Sequence, residues 1–179
     1  DAFIKDDFIL IKNEKIINMN DIRINGQHND ENIMAALLVI NEFGIDKNII
    51  KDFFMNFNGV EHRIEFVCQK DNLKFYNDSK ATNPTSTITA LDSFNEDIYL
   101  ILGGMQRNQN FHELDNHLKN VKKIYAIGQV TDEVFDYAKE VNINSEKCYT
   151  LSKAMEMIKN DNLNNGVVLL SPASASWDQ

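Results

Sequence analysis

The sequence predicts an α/β fold with a mostly parallel sheet, on three observations. From Asn58-Gly59 onward, short β-rich runs alternate with stretches of helical periodicity, the pattern of repeated strand–helix–strand units. Two runs, Ile98-Tyr99-Leu100-Ile101-Leu102 and Val167-Val168-Leu169-Leu170, are continuously apolar, which suits parallel strands covered on both faces. Asn83-Pro84 follows one strand candidate and supplies an N-cap and a first helical residue. The larger part of the chain is therefore read as a Rossmann-like domain without internal repeats.

The elements follow in order. Phe8-Ile9-Leu10-Ile11 and Ile16-Ile17, separated by the polar Lys12-Asn13-Glu14-Lys15, predict a short hairpin. Asn29-Asp30-Glu31 is expected to cap a helix whose apolar stripe is Ile33, Ala36, Leu37 and Ile40, and Gly44 ends it. Asp46 opens a second helix with Ile49, Ile50, Phe53, Phe54 and Phe57 on its apolar face. Beyond Gly59 the strand candidates are 64–69, 73–77, 98–102, 123–127, 147–149 and 167–170. The helix candidates between them are 84–94, 111–119, 131–141 and 152–159. In such sheets ligands gather at the carboxyl ends of the strands, so the loops after Tyr76, Leu102, Ile127 and Leu170 are the informative ones.

Composition removes several function classes. With 18 basic and 27 acidic side chains the net charge is −9, which argues against nucleic acid or an anionic membrane as partner, since cationic surface supplies most of that affinity. No apolar run approaches the roughly 20 residues that cross a bilayer, and the start, Asp1 to Asp7, does not read as a signal peptide. Cys68 and Cys148 lack any metal-ligand spacing and read as reduced thiols of a cytoplasmic protein. No metal site is expected within these residues.

The densest polar cluster is Asn77-Asp78-Ser79-Lys80-Ala81-Thr82-Asn83-Pro84, after a strand and opening a helix. Capping explains Asn83 and Pro84 but not Asp78, Lys80 and Thr82 together. A carboxylate, an ammonium and a hydroxyl beside free helix N–H groups can hold sugar hydroxyls and an anion. Arg107 follows Gly103-Gly104, a turn whose missing side chains let backbone approach a ligand. Other polar residues have plainer readings: His28 at a helix entry, His112 and His117 facing solvent, Arg63 in a surface pair with Glu61 or Glu65, and Ser171 and Ser174 as turn or cap residues.

The string Asp78-Ser79-Lys80-Ala81-Thr82-Asn83 resembles a signature of the Mur ligase family, in its D-glutamate-adding branch. Five further stretches agree in order: Gly26-Gln27-His28-Asn29 with Asn32, Gly59-Val60-Glu61-His62-Arg63-Ile64-Glu65, Leu100-Ile101-Leu102-Gly103-Gly104, Ala126-Ile127-Gly128, and Leu169 to Ser176. The resemblance runs over essentially the whole chain. It implies an amide-forming reaction in which ATP phosphorylates the carboxylate of UDP-N-acetylmuramoyl-L-alanine and the amine of D-glutamate attacks the acyl phosphate.

By the same resemblance, Asn29 reads adenine, His62 and Arg63 lie beside the nucleotide with Arg63 near the ribose, and Asp78 accepts from ribose hydroxyls. Lys80, Thr82, Arg107 and Ser176 form the D-glutamate pocket, where a guanidinium can grip a carboxylate in bidentate fashion. The stretch Met105-Gln106-Arg107-Asn108 departs from the family pattern, lacking an Asp often found there. Residues 1–58 correspond to the tail of a central ATPase domain, a hairpin plus two helices, and residues 59–179 to most of a C-terminal glutamate-binding domain, with a hinge near Asn58-Gly59.

The resemblance places the glycine-rich phosphate loop and the Mg²⁺ ligands upstream of Asp1 and a closing aromatic-rich segment beyond Gln179. These residues are therefore expected to hold no catalytic group of their own, to be inactive alone, and to belong to a monomeric cytoplasmic enzyme of peptidoglycan precursor synthesis. Two other classes fit part of the pattern. A stand-alone nucleotide- or amino-acid-binding module without catalysis differs by lacking an in-frame phosphate loop upstream. A dinucleotide-dependent oxidoreductase fits the strand–helix pattern, but Gly103-Gly104 lacks the Gly-x-Gly-x-x-Gly spacing.

Overall fold

In a computed structural model, which describes residues 1–24 and 27–175, and residues 27 and 28 by backbone alone, hairpin turns organise the first part of the chain. Strands β1 (Ala2–Lys5), β2 (Phe8–Ile11) and β3 (Glu14–Asn18) form an antiparallel sheet in that order. Each two-residue turn uses left-handed backbone, Asp6 and Asp7 at φ 50° and 60°, Lys12 and Asn13 at 51° and 67°, a geometry whose twist matches the flanking strands. The expected hairpin is thus two strands of a three-stranded sheet. β1 escapes a reading from sequence because its side chains are mostly exposed and Asp-Asp is a weaker turn signal than Asn-Gly.

Helix α1 spans Gln27–Glu42, so Asn29 and Asp30 lie in its first turn and do not cap it. Asp30 there still suits the positive end of the helix dipole. Helix α2 (Lys47–Asn56) is capped by Asp46, whose side chain accepts from Asn48 N at 2.8 Å. Of the expected stripes, Ile33, Leu37, Ile50 and Phe54 join Ile9, Ile11, Ile16, Ile17 and Ile22 in one core. Ile49, Phe53 and Met55 are exposed, so α2 buries only Ile50 and Phe54 of its five apolar residues.

The chain divides into two compact units, Asp1–Gly59 and Val60–Gln179. The second contains a six-stranded sheet in the order β4-β5-β9-β6-β7-β8. Its strands are β4 (Glu65–Lys70), β5 (Leu73–Asn77), β6 (Ile98–Gly104), β7 (Val121–Gly128), β8 (Asn144–Tyr149) and β9 (Gly166–Leu170). Only β4 runs antiparallel, to β5; the other neighbours are parallel. The helices are α3 (Pro84–Asp92), α4 (Thr131–Glu140) and α5 (Leu151–Asn160). Residues Phe111–His117 form a 3-10 helix where the periodicity predicts an α-helix.

Alternation along the central strands builds two cores. Ile98, Leu100 and Leu102 of β6, with Val167 and Leu169 of β9, pack with Ala90 and Leu91 of α3, Leu114 of the 3-10 helix and Val134 of α4. The intervening Ile101 and Val168 face the opposite way, with Tyr125, Ile127 and the α5 residues Ala154 and Ile158. Both faces are covered, as the continuously apolar runs require. The sheet is therefore doubly wound, and the parallel strands deliver their carboxyl ends to one edge.

At that edge the backbones come unusually close. Gly103 N donates to Pro172 O at 2.9 Å, Met105 N to Ala175 O at 2.7 Å, and Val130 N to Gly104 O at 3.2 Å. A Cβ on Gly104 would collide with the carbonyl oxygen of Ala175, and one on Gly128 would stand 2.5 Å from the Cα of Gly104. The two glycines let three chain segments lie against one another, so the missing side chains serve contact between backbones. Because those neighbours are main chain and not flexible side-chain ends, Gly104→Ala is expected to lower the unfolding free energy by about 2–3 kcal/mol. Urea titration followed by far-UV circular dichroism measures this, and an unchanged midpoint would contradict the packing described.

Candidate functional site

Five segments leave the carboxyl edge of the parallel strands β5, β9, β6, β7 and β8, and the polar cluster at 77–84 is one of them. Asn83 caps α3 by accepting from Ser86 N at 2.9 Å, with Pro84 at the start of the helix. Asn77 Oδ1 accepts from Ser79 N at 3.0 Å, and Ala81 N donates to Asp78 O at 2.9 Å. These bonds tighten the loop while leaving Lys80 and Thr82 exposed. Ala81, between them, is 1% exposed and anchors the loop from beneath.

Asp78 lies at the start of the same loop. It is 3% exposed, and both carboxylate oxygens are engaged. Oδ1 accepts from Ile64 N at 3.1 Å. Oδ2 accepts from the Ser171 hydroxyl at 2.7 Å, and Ser171 Oγ also lies 3.0 Å from Thr87 Oγ1. Asp78 N donates to Leu170 O at 2.7 Å. The residue that the resemblance assigns to the ribose hydroxyls is also a buried tie between the entry to β4, the end of β9 and α3. Burial holds its carboxyl above the ordinary value of 3.8, against the opposing pull of Ser171, the Ile64 N–H and the nearby Arg63 guanidinium.

The turn before β4 depends on this tie. His62 and Ile64 adopt φ of 66° and 47°, left-handed backbone that is costly for a β-branched residue. His62 N donates to Glu65 Oε2 at 2.8 Å, and its ring Nδ1 lies 2.9 Å from Asn77 Nδ2. Lys80 N donates to His62 O at 3.0 Å. Glu65 is thus engaged by His62, and the turn displays exposed His62 and Arg63 beside the 77–84 loop. The structure brings His62, Arg63, Asp78, Lys80 and Thr82 together. Asn29 belongs to the first unit, in the opening turn of α1.

Arg107 is exposed on the loop after β6, and β9 is the strand between β5 and β6. Both loops that carry pocket candidates therefore rise from strands flanking β9. Ser171 and Ser174, read as turn or cap residues, are both buried. Ser171 belongs to the Asp78 network, and the Ser174 hydroxyl has no hydrogen-bond partner among the described residues. Nothing local in Ser171-Pro172 signals this, because the partners lie 84 and 93 residues away. Ser176, Gly26 and Trp177 lie outside the described residues.

Of the two histidines expected to face solvent, His112 is exposed and His117 is half-buried. His112 lies 3.3 Å from Asp115 and 3.2 Å from Glu140, and His117 lies 2.9 Å from Asp92. Cys68 is exposed and Cys148 buried, both as free thiols, and burial pushes the Cys148 thiol up to about 11. No group of three His, Cys, Asp or Glu side chains among the described residues could hold a metal ion. No helix among them is long and apolar enough to cross a membrane.

A doubly wound unit with polar loops at one strand edge is a Rossmann-like α/β domain, and comparison with known proteins gives its family. Residues 62–174 match the family described as Mur ligase, glutamate ligase domain, and the chain belongs to the Mur ligases. It is 39% identical over 178 residues to UDP-N-acetylmuramoylalanine–D-glutamate ligase of Macrococcus caseolyticus (strain JCSC5402), and 40% identical over 179 residues to the protein of the same name from Bacillus cereus (strain AH187). Each match covers 99% of this chain and 40% of the relative. The chain thus spans about 40% of the length of the curated relatives it matches.

Solved structures agree in fold. MurF from Acinetobacter baumannii superposes with a TM-score of 0.68 at 21% identity, over 86% of this chain and 36% of that one. The UDP-N-acetylmuramate-alanine ligase MurC from Thermotoga maritima gives 0.63 at 18% identity, over 83% and 35%.

The raised carboxyl of Asp78 has a signed consequence for stability. A group whose folded value lies above its unfolded one contributes stability that is complete below the unfolded value and is lost as pH rises through the folded value. Asp78→Asn cannot ionise, so its stability relative to the parent is expected to improve as pH is raised from about 3 to about 7. Unfolding free energies of both proteins across that range check this, and a constant difference would show that burial does not perturb Asp78.

Proposed function

We propose that this chain forms the amino-acid-accepting part, and a share of the nucleotide contacts, of an ATP-dependent ligase that joins D-glutamate to UDP-N-acetylmuramoyl-L-alanine in peptidoglycan precursor synthesis. The observation that carries the reading is the placement of Lys80 and Arg107. These are two exposed cations, in a chain of net charge −9, on loops from the two strands that flank β9. D-glutamate brings two carboxylates, and cations fixed at one sheet edge are what such a substrate needs. The family assignment and the names of the relatives support the same substrate.

In this reading Arg107 grips one carboxylate through its planar fork, Lys80 supplies a second positive charge, and Thr82 and Ser176 add hydroxyl contacts. Asn29 reads the adenine through its side-chain amide, and His62 and Arg63 lie beside the ribose and phosphates. Asp78 accepts from the ribose hydroxyls, and it also holds the strained 62–64 turn that presents His62 and Arg63. ATP, when bound, supplies the phosphoryl group that activates the partner carboxylate, with Mg²⁺ shielding the phosphates. This chain's part is to bind and orient the amine for attack. The enzyme is proposed to work in the cytoplasm as a monomer.

Truncating a charged group that grips a carboxylate costs about 1.5–3 kcal/mol. In the full-length protein, Arg107→Ala and Lys80→Ala are therefore each expected to raise KM for D-glutamate about 10- to 100-fold, with a much smaller change in KM for ATP. Steady-state phosphate release at varied D-glutamate measures both. If neither variant alters the D-glutamate dependence, the pocket lies elsewhere; if the parent releases no phosphate in response to D-glutamate, the substrate is wrong.

A further inference from the structure

The loop that carries Arg107 is held by an arrangement of amide side chains. Three consecutive backbone N–H groups each donate to a glutamine side-chain oxygen. Gln106 N donates to Gln129 Oε1 at 3.2 Å, Arg107 N to Gln109 Oε1 at 2.9 Å, and Asn108 N to Gln106 Oε1 at 2.7 Å. The other end of the Gln106 amide, Nε2, donates to Glu133 Oε2 at 2.6 Å. Asn108 sits at φ 56°, a left-handed turn that Asn tolerates. This is the stretch whose sequence departs from the family pattern.

Gln129 and Glu133 flank the start of α4, which is fastened to the sheet. Val130 and Val134 are 2% and 0% exposed, Val130 N donates to Gly104 O, and Thr131 Oγ1 donates to Gly128 O at 2.7 Å. A carboxylate in the first turn of a helix is stabilised by the helix dipole, and its bond to the Gln106 amide is charge-assisted. The loop is thereby coupled to a packed helix, the kind of support that a binding group needs to hold its geometry.

We propose that Glu133 and Gln129, acting through Gln106, are positioning residues for Arg107 and so set the affinity for the amino-acid substrate. The proposal rests on the D-glutamate reading above. None of the three side chains need touch the substrate. Their part is to keep the 106–108 backbone in the conformation from which Arg107 projects. Glu133 and Gln129 act from the α4 side, and Gln106 transmits their hold by bonding both to Glu133 and to the N–H of Asn108.

The test uses the full-length protein and steady-state kinetics with D-glutamate and ATP varied separately. Glu133→Ala and Gln106→Ala are expected to raise KM for D-glutamate about tenfold, the loss of one charge-assisted hydrogen bond, with KM for ATP and the thermal midpoint unchanged. Glu133→Gln keeps an acceptor oxygen and should restore the parent KM to within about twofold. An unchanged D-glutamate KM in Glu133→Ala overturns the proposal, as does a parallel rise in both KM values with a lowered midpoint, the mark of a merely structural role. Failure of Glu133→Gln to rescue also counts against it. A parent protein that forms no product with D-glutamate overturns the functional reading instead, and this inference falls with it.

Discussion

The position of the Gly104 backbone is the constraint on which the rest of this unit depends. It lies between Ala175 on one side and Gly128 on the other, with no room for a Cβ at either Gly104 or Gly128. That closeness allows the loops after β6, β7 and β9 to exchange backbone hydrogen bonds. Hydrogen bonds of this kind are individually modest, about 1 kcal/mol net, but they fix where each loop leaves the sheet. Arg107 stands three residues beyond Gly104, and Gln129 one beyond Gly128. The contact between backbones therefore determines which side chains can meet above the strand ends.

A second consequence concerns charge. The acidic residues are spread over both parts of the chain, with 10 acidic against 6 basic in residues 1–58 and 17 against 12 in residues 59–179 by count from the sequence. Any affinity for a dianionic substrate then comes from a few placed cations working against the overall field. Asp78, in the loop that carries Lys80, is kept out of that competition by burial: its oxygens face Ile64 N and Ser171 Oγ. A carboxylate left open there would pair with Lys80 or repel the substrate. The fold thus turns a potential competitor into the residue that holds the 62–64 turn in place.

Most of the fold was legible from the sequence. The apolar runs at 98–102 and 167–170 identified central strands because a strand covered on both faces has no polar side to show. The Asn83 cap was legible because its partner is three residues away. Elements that rest on weak or distant signals were not. β1 pairs through exposed side chains, the start of α1 lies two residues before its apparent cap, and the stretch Phe111–His117 has helical periodicity but closes as a 3-10 helix. Lys80, Thr82 and Arg107 were recognisable as site candidates from their loops, whereas the roles of Ser171, Thr87 and Glu133 were not, since each acts through a partner far along the chain.

What the sequence by itself determined is the set of periodicities and loop chemistries: which segments bury two faces, which loops carry cations, and which family they resemble. These are local properties, encoded within one or two turns of helix or a few residues of strand. Only the tertiary structure decided that β9 returns between β5 and β6, and so brings Ser171 to Asp78 across 93 residues. That pairing follows from parallel-sheet topology, in which residues remote in sequence share one edge once the crossover helices are packed. The same reason makes Asp78 a buried tie and leaves Lys80 and Arg107, on loops from the strands beside β9, exposed.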